Sequence, residues 1–381
     1  MRFLILVPFL LLSNLQALAQ GRPEQATPLA EFYIDLNSWV ERVSFSADGS
    51  RFALAHIGDE GLSIGVYEGT TAEQIATFHL PEIGGISSLS LDPFGEGLAA
   101  AFRQSRGQMW HVDSQMSPSQ FDRRSLAGAR EAIWSPDGAQ IAWQFEHGLS
   151  LMDAATATIL KNYRTTEDAF VDWHGDQLRI LNIWSNRDKL RVSYTSSNGE
   201  KAEWELEYPI YSPSVSWRAD GRAFFLIEDR NDRIYHFDLD NQEVLHNQDG
   251  RQDDLPDTFR ARYNLLDLAF SPTSDLYAVS VAGDGVFVVD GQTHELQSTC
   301  DHTVVTSYDQ LAWAPDGSLI AMYNDYGPFF FCDPVSGRLL GLDLSFYSRS
   351  THFLAWGPGD DQLMLIDPDL GHVSVWPAPL R

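Results

Sequence analysis

Basic residues are scarce in this chain of 381: 26 Lys and Arg stand against 53 Asp and Glu, a formal charge of −27 at pH 7. A field of that sign repels nucleic acid and anionic lipid, so neither is expected as a partner. Dispersed acid chiefly keeps a surface soluble, and it favours cationic or calcium-bridged partners only weakly. Beyond an apolar run from Phe3 to Leu12, no segment approaches the ~18 to 20 apolar residues of a membrane span. No Cys follows that run to carry a lipid anchor. The two cysteines, Cys300 and Cys332, are too few for a disulfide framework. Asn-x-Ser/Thr does not occur, which removes a common eukaryotic secretory mark. The 11 histidines never fall into H-x-x-E-H or H-E-x-x-H, and C-x-x-C is missing. Each His therefore reads as an ordinary blade or loop residue, and no metal or cofactor is expected.

The N-terminus carries Arg2, the short apolar run, a polar stretch and then Ala17-Leu18-Ala19, the small-x-small pattern of a signal peptidase site. Residues 1–19 are expected to be a signal peptide cleaved after Ala19, with 20–30 as an N-terminal tail. The mature protein is expected to be periplasmic or secreted.

What the chain has is a repeat. A hydrophobic strand ends in a bulky residue, enters a tight polar turn, and leaves into a second apolar strand. The clearest copies are Val43–Gly49, Ile133–Gly138, Val215–Gly221 and Leu311–Gly317, each closing on Asp-Gly. The bulky positions are Phe45, Leu91, Trp134, Trp173, Trp217, Phe270, Trp313 and Trp356. Self-similarity at this period marks a propeller. Asp-Gly supplies the backbone freedom of a tight hairpin, so these aspartates read as structural. Within the first unit, period-2 alternation gives further strands at Phe52–Ile57, Leu62–Tyr67 and Gln74–Phe78. Trp134, Trp217 and Trp313 are expected in one equivalent buried slot between blades. The last unit lacks a fourth strand, whereas an alternating strand at 31–36 precedes the first unit. The expectation is an all-β, eight-bladed propeller of four-stranded antiparallel blades, one domain over 31–381 with repeats from 41, closed by strand 31–36. A seven-bladed ring with one divergent unit outside it is the alternative. Cys300 falls at the end of one outer strand and Cys332 in the third strand of the next unit, a separation that favours two unbridged buried thiols.

The Trp-Ser-Pro-Asp-Gly-x-x-Ile-Ala core at 134–142, its counterpart at 313–321, and the stretch Trp217–Asp238 resemble the WD40-like repeat of TolB-type and peptidase-gating propellers, called PD40. The resemblance covers nearly all of the mature chain, at the level of the repeat. It implies the ring and a tendency to bind proteins or peptides. No strand ends in Trp-Asp, and only Asp301-His302 sits near the Gly-His position of true WD40 units, so their buried His/Asp networks do not carry over. The repeats leave no room for the α/β-hydrolase domain that related peptidases attach to such a ring. A sialidase box S-x-D-x-G-x-T-W and the glycine and tryptophan signature of eight-bladed quinoproteins are not legible either.

Gly61-Leu-Ser63-Ile-Gly65 matches the G-x-S-x-G nucleophile elbow. That elbow needs a strand, a sharp turn and a helix, and this segment reads as a blade's third strand, so Ser63 is not expected to be a nucleophile. Asp367-Pro-Asp369-Leu-Gly371 reads as a plain turn rather than a calcium loop.

A binding site is expected on the rim shared by the loops that join fourth to first and second to third strands. Residues three before each bulky position line the mouth: Arg42, Ser88, Glu131, Phe170, Ser214, Asp267, Gln310 and Phe353. Rim loops contribute Arg103, His147, Arg187, Asp229 and Arg230. An insertion at 246–263 adds Asp253, Asp254, Asp257, Arg260 and Arg262, and inserted loops on a rigid ring concentrate function. The partner-binding set is therefore Arg42, Glu131, Asp267, Gln310, Arg187, Asp229, Arg230 and the five insertion residues, with no catalytic residue assigned. The expected function is an exported non-catalytic scaffold for a protein or peptide. The alternative is a hydrolase or lactonase with a metal-assisted site at the mouth.

Overall fold

The computed structural model describes residues 30–34, 38–103, 106–112, 127–166, 168–185, 189–207, 213–228, 233–241, 244–246, 265–281, 285–300, 310–323, 330–341, 353–357, 362–367 and 372–377. The expected signal peptide at 1–19, the tail before residue 30, the insertion residues Asp253, Asp254, Asp257, Arg260 and Arg262, and Arg187, Asp229 and Arg230, expected on the rim, lie outside them.

Every element among the described residues is a strand, and the strands form eight antiparallel sheets, seven of four strands and one of three. We number the sheets 1 to 8 by their first strands, which begin at Trp39, Ile86, Ala129, Asp168, Pro213, Leu265, Gln310 and Phe353. Within each sheet, strands follow in chain order. Sheet 8 has one addition: Ala30–Tyr33 pairs antiparallel with its third strand, from Ala30↔Val375 to Tyr33↔His372. That addition covers part of the orphan segment expected at 31–36.

The repeat register follows from the turn. Phe45 pairs with Phe52, Leu91 with Leu98, Trp134 with Ile141, Trp217 with Phe224, Phe270 with Tyr277, Trp313 with Ile320 and Trp356 with Leu363. The partner is always seven residues on. Sheet 4 departs, with Trp173 opposite Leu178, because Gly175-Asp176 makes a shorter turn between His174 and Gln177. In the longer turns Gly49, Gly138, Gly221 and Gly317 adopt φ of 67°, 69°, 70° and 72°, a left-handed backbone that glycine enters without steric cost. The preceding aspartates each accept a backbone N–H two residues on: Ser50 to Asp48, Ala139 to Asp137, Arg222 to Asp220 and Ser318 to Asp316, at 2.8–3.0 Å. These carboxylates are turn caps.

Apolar side chains alternate across each strand, so every sheet offers two faces and every face needs a neighbour. Eight apolar clusters meet that need. Seven join consecutive sheets; Phe78 with Trp110, for example, lies between sheets 1 and 2. The eighth sets Ile34, Met364, Val373 and Val375 of the last sheet against Val40, Phe52, Leu54 and Tyr67 of the first.

The repeated tryptophans add a directional bond to this packing. Trp134 Nε1 donates to Ser90 O, Trp173 to Ile133 O, Trp313 to Ala269 O and Trp356 to Ala312 O, at 3.1, 3.4, 2.8 and 3.0 Å. In each case the acceptor directly precedes the bulky residue of the preceding sheet, so an indole ties the first strands of sheets 3, 4, 7 and 8 to the first strand of the sheet before. The expectation of one equivalent buried slot is corrected in part. Trp313 is buried, but Trp134 and Trp217 are half-buried. Trp217 lies under the buried Arg179, whose guanidinium is 4.0 Å from the ring centre, a cation–π contact.

The cysteine expectation is also corrected. Cys300, ending the fourth strand of sheet 6, and Cys332, ending the third strand of sheet 7, form a disulfide with Cα atoms 5.9 Å apart. Their strand placement agrees with the repeat. The two strands lie closer than their positions in the repeat suggest because adjoining sheets pack face to face, bringing an outer strand over the next sheet's third strand within one apolar cluster.

Candidate binding surface on the first strands

The first strands of sheets 1, 2, 3 and 6 start with a β-bulge, at Glu41, Ser87, Arg130 and Leu266. A bulge re-aims the side chains around it, and here it turns polar groups from one sheet toward the next. Glu41 is buried, accepts the Ile86 N–H at 2.8 Å, and pairs with Arg103 at 2.8 Å. Arg42 donates to Ser87 O at 3.0 Å and to Glu41 O at 2.6 Å. The Ser87 hydroxyl donates to Arg130 O at 2.7 Å. A stitched polar arc thus runs over sheets 1, 2 and 3.

Glu131 stands on that arc. Desolvation pushes its carboxyl above the ordinary carboxylate range, and the positive charge of Arg42 pulls it back in part. Arg42 and Glu131, two of the expected site residues, are therefore brought into electrostatic contact from sheets 1 and 3. Asp267 serves the frame instead, accepting the Leu268 and Leu311 N–H groups at 2.8 and 2.7 Å and so stitching sheet 6 to sheet 7. Gln310 is exposed beside it. Ser88 of the expected mouth accepts Ala132 N–H at 3.3 Å, and Ser214 is exposed.

An open cleft of about 410 Å³ adjoins the arc on sheet 3, lined by Arg130, Phe145, Glu146, His147, Ser150, Asn162 and Tyr163 among others. Arg130 and His147 lie 3.7 and 3.8 Å from Glu146. The cleft offers a cation, an acid, an amide and two aromatic rings, a set suited to a peptide's mixed groups. His147 was legible as a rim residue. Glu41 was not, although the unbroken polar pair Glu41-Arg42 between Val40 and Val43 interrupts the strand alternation and signals the bulge.

Ser63 lies inside a strand, Gly61–Glu68, as expected, and not on a strand-to-helix turn. Its hydroxyl is 3.0 Å from His79 Nδ1 on the neighbouring fourth strand. That partner is a cross-strand neighbour that the sequence motif gave no reason to look for.

Searches against family models and against curated proteins return no match. Solved structures do match. The computationally designed Ika8 protein superposes with a TM-score of 0.61 at 13% identity, over 92% of this chain and 99% of that one. Sqt1 of Chaetomium thermophilum, a WD40 propeller protein seen bound to the N-terminus of ribosomal protein L10, superposes with a TM-score of 0.63 at 15% identity, over 93% of this chain and 100% of that one. The fold is that of a β-propeller. At such identities the likeness concerns the fold alone, and the propeller's site must be argued from its own residues.

Proposed function

We propose that the chain is an exported, non-catalytic propeller scaffold of the PD40/TolB-like kind that holds a protein or peptide partner against the rim carrying Arg42 and Glu131. Its eight sheets are eight blades of one domain over 31–381, and the N-terminal strand closes the ring. The pairing of Ala30–Tyr33 with the last sheet and the apolar cluster between the last and first sheets support that closure. Export is supported by the sequence at 1–19 and by the Cys300–Cys332 bridge, a bond at home in oxidising compartments.

The observation that carries the binding role is Glu131. Arg42 of sheet 1 is exposed, its charge acts on the half-buried Glu131 of sheet 3, and an ionisable pair drawn from two sheets onto one polar arc is the kind of group that marks a functional surface. The solvent-facing Arg42, Gln310 and the sheet 3 cleft extend the surface. The repeat pattern of the sequence assigns to the same rim the charges of Asp253, Asp254, Asp257, Arg260 and Arg262 in the insertion and of Arg187, Asp229 and Arg230, all outside the described residues. A propeller that holds a short terminal segment is exemplified by Sqt1.

The test is co-purification from the native compartment, comparing wild type with Arg42→Ala, with Glu131→Gln, and with 248–262 replaced by a short Gly-Ser linker. A specific partner retained by wild type should be lost from the variants while their circular dichroism is unchanged. Undiminished capture by all three would refute the site. Labelling of Ser63 in wild type by a fluorophosphonate probe would refute the non-catalytic reading.

A further inference from the structure

His236 and His294 depart from the repeat at one and the same interface. Two residues before the acid that ends the third strand, sheets 1, 3, 6 and 7 carry Val66, Leu151, Val288 and Phe331, whereas sheet 5 carries His236. Four residues after that acid, sheets 1, 3 and 7 carry Ala72, Ala157 and Gly337 in the left-handed region, and sheet 6 carries His294 there at φ 57°. Both imidazoles are more than nine-tenths buried, with 7% and 8% of their surface exposed. Their rings face each other across sheets 5 and 6 at 5.2 Å between centres and 86° between planes. Nε2 of each has no hydrogen-bond partner. Burying a polar group without a partner is unfavourable, and two such groups side by side need a common explanation.

We propose that His236 and His294 form an inter-blade site for a divalent transition metal of the zinc and copper class, each giving its Nε2. Two imidazoles bound at about 2.0–2.1 Å with a tetrahedral angle at the ion set their ring centres about 5 Å apart, the separation seen here. His294 Nδ1 lies 3.3 Å from the Tyr277 hydroxyl; an Nδ1–H donated to that oxygen fixes the tautomer that leaves Nε2 free to coordinate. Burial holds both rings neutral at neutral pH, the form that binds metals. Arg218, the nearby cation, is offset by Asp220 at 2.7 Å and Asp275 at 3.8 Å. No group of three or more His, Cys, Asp or Glu assembles among the described residues, so the two imidazoles are the protein ligands proposed for the ion. Zinc spacing motifs miss such a site because its ligands come from different repeats.

The repeat itself supplies the test variants: His236→Val and His294→Ala install residues that other blades use at the same positions. Untagged protein, dialysed against a chelator, is titrated with zinc sulfate and separately with copper sulfate by calorimetry and by metal retained after gel filtration. The expected result is one ion per chain for at least one of the metals, a raised melting temperature, and at least tenfold weaker binding in each variant. His79→Ala, at an exposed histidine of sheet 1, should bind as wild type. Should a variant fail to fold, nitrogen couplings from two imidazoles in the copper-loaded wild-type electron paramagnetic resonance spectrum decide the matter. Absence of stoichiometric binding, or binding that survives both substitutions, overturns the site.

Discussion

Reducing the Cys300–Cys332 bridge should lower the stability of the fold by an amount set by the loop it closes. The bridge spans a sequence separation of 32 residues, and the chain-entropy relation gives about 4 kcal/mol for a loop of that length at 25 °C. Unfolding entropy scales with length, at roughly 2.1 cal/mol/K per residue near 60 °C, so for this chain the loss corresponds to about 5 °C in melting temperature. Both sulfurs are fully buried in the cluster shared by sheets 6 and 7. Reduction leaves both side chains in place, which separates the lost cross-link from the cavity that Cys→Ala would add. The assay is scanning calorimetry of oxidised and fully reduced protein, with thiols counted after denaturation. Two free thiols in unreduced protein would deny the bridge, and an unchanged melting temperature after complete reduction would rule out an entropic stabilisation by the closed loop.

Removing residues 20–36 should expose the edge of His372–Pro377 and uncover Val373 and Val375; loss of Ile34 burial alone accounts for about 1.5–3 kcal/mol, read as a lower melting temperature and aggregation on size-exclusion chromatography. A deletion variant that melts with wild type would contradict the proposed closure by this strand. Trp313→Ala should cost about 3–5 kcal/mol in denaturant unfolding, and Trp313→Phe, which removes mainly the bond to Ala269 O, about 0.5–1.5 kcal/mol. Glu131 has a native pKa raised by desolvation, so its contribution to stability is complete below the unfolded value of about 4.3 and is lost as pH rises through the higher native one. Glu131→Gln should therefore raise the melting temperature relative to wild type at pH 7 and not below pH 4, and equal shifts at both would contradict the assignment.

The strands were legible because their turns are chemically loud. Asp-Gly at 48–49, 137–138, 220–221 and 316–317 announces a hairpin, and a fixed register follows from it. The expected strand Leu62–Tyr67 differs from the observed Gly61–Glu68 by one residue at each end. What lay between sheets was not legible. Contacts across an interface depend on how two sheets slide over each other, which no local pattern encodes. The disulfide, the Glu41–Ile86 and Asp267–Leu311 stitches, and the Ser63–His79 contact all belong to tertiary placement or to cross-strand register. Of the site residues, Arg42 and Glu131 could be ranked together by counting back from the bulky position, and the charge of Arg42 acts on Glu131 in the fold.

Whether a partner sits on the rim carrying Arg42 and Glu131 can be decided by position-specific photo-crosslinking in the native compartment. A photoreactive residue at Arg130, beside the sheet 3 cleft, or at the exposed Gln310 reports on that rim. One at Val335, 81% exposed in the turn between the third and fourth strands of sheet 7, reports on the opposite rim. Binding at the proposed rim requires one discrete protein adduct from Arg130 or Gln310, lost when Glu131→Gln is added, and none from Val335. Adducts from Val335 alone, or rim adducts indifferent to Glu131, would place the partner elsewhere and overturn the proposed site.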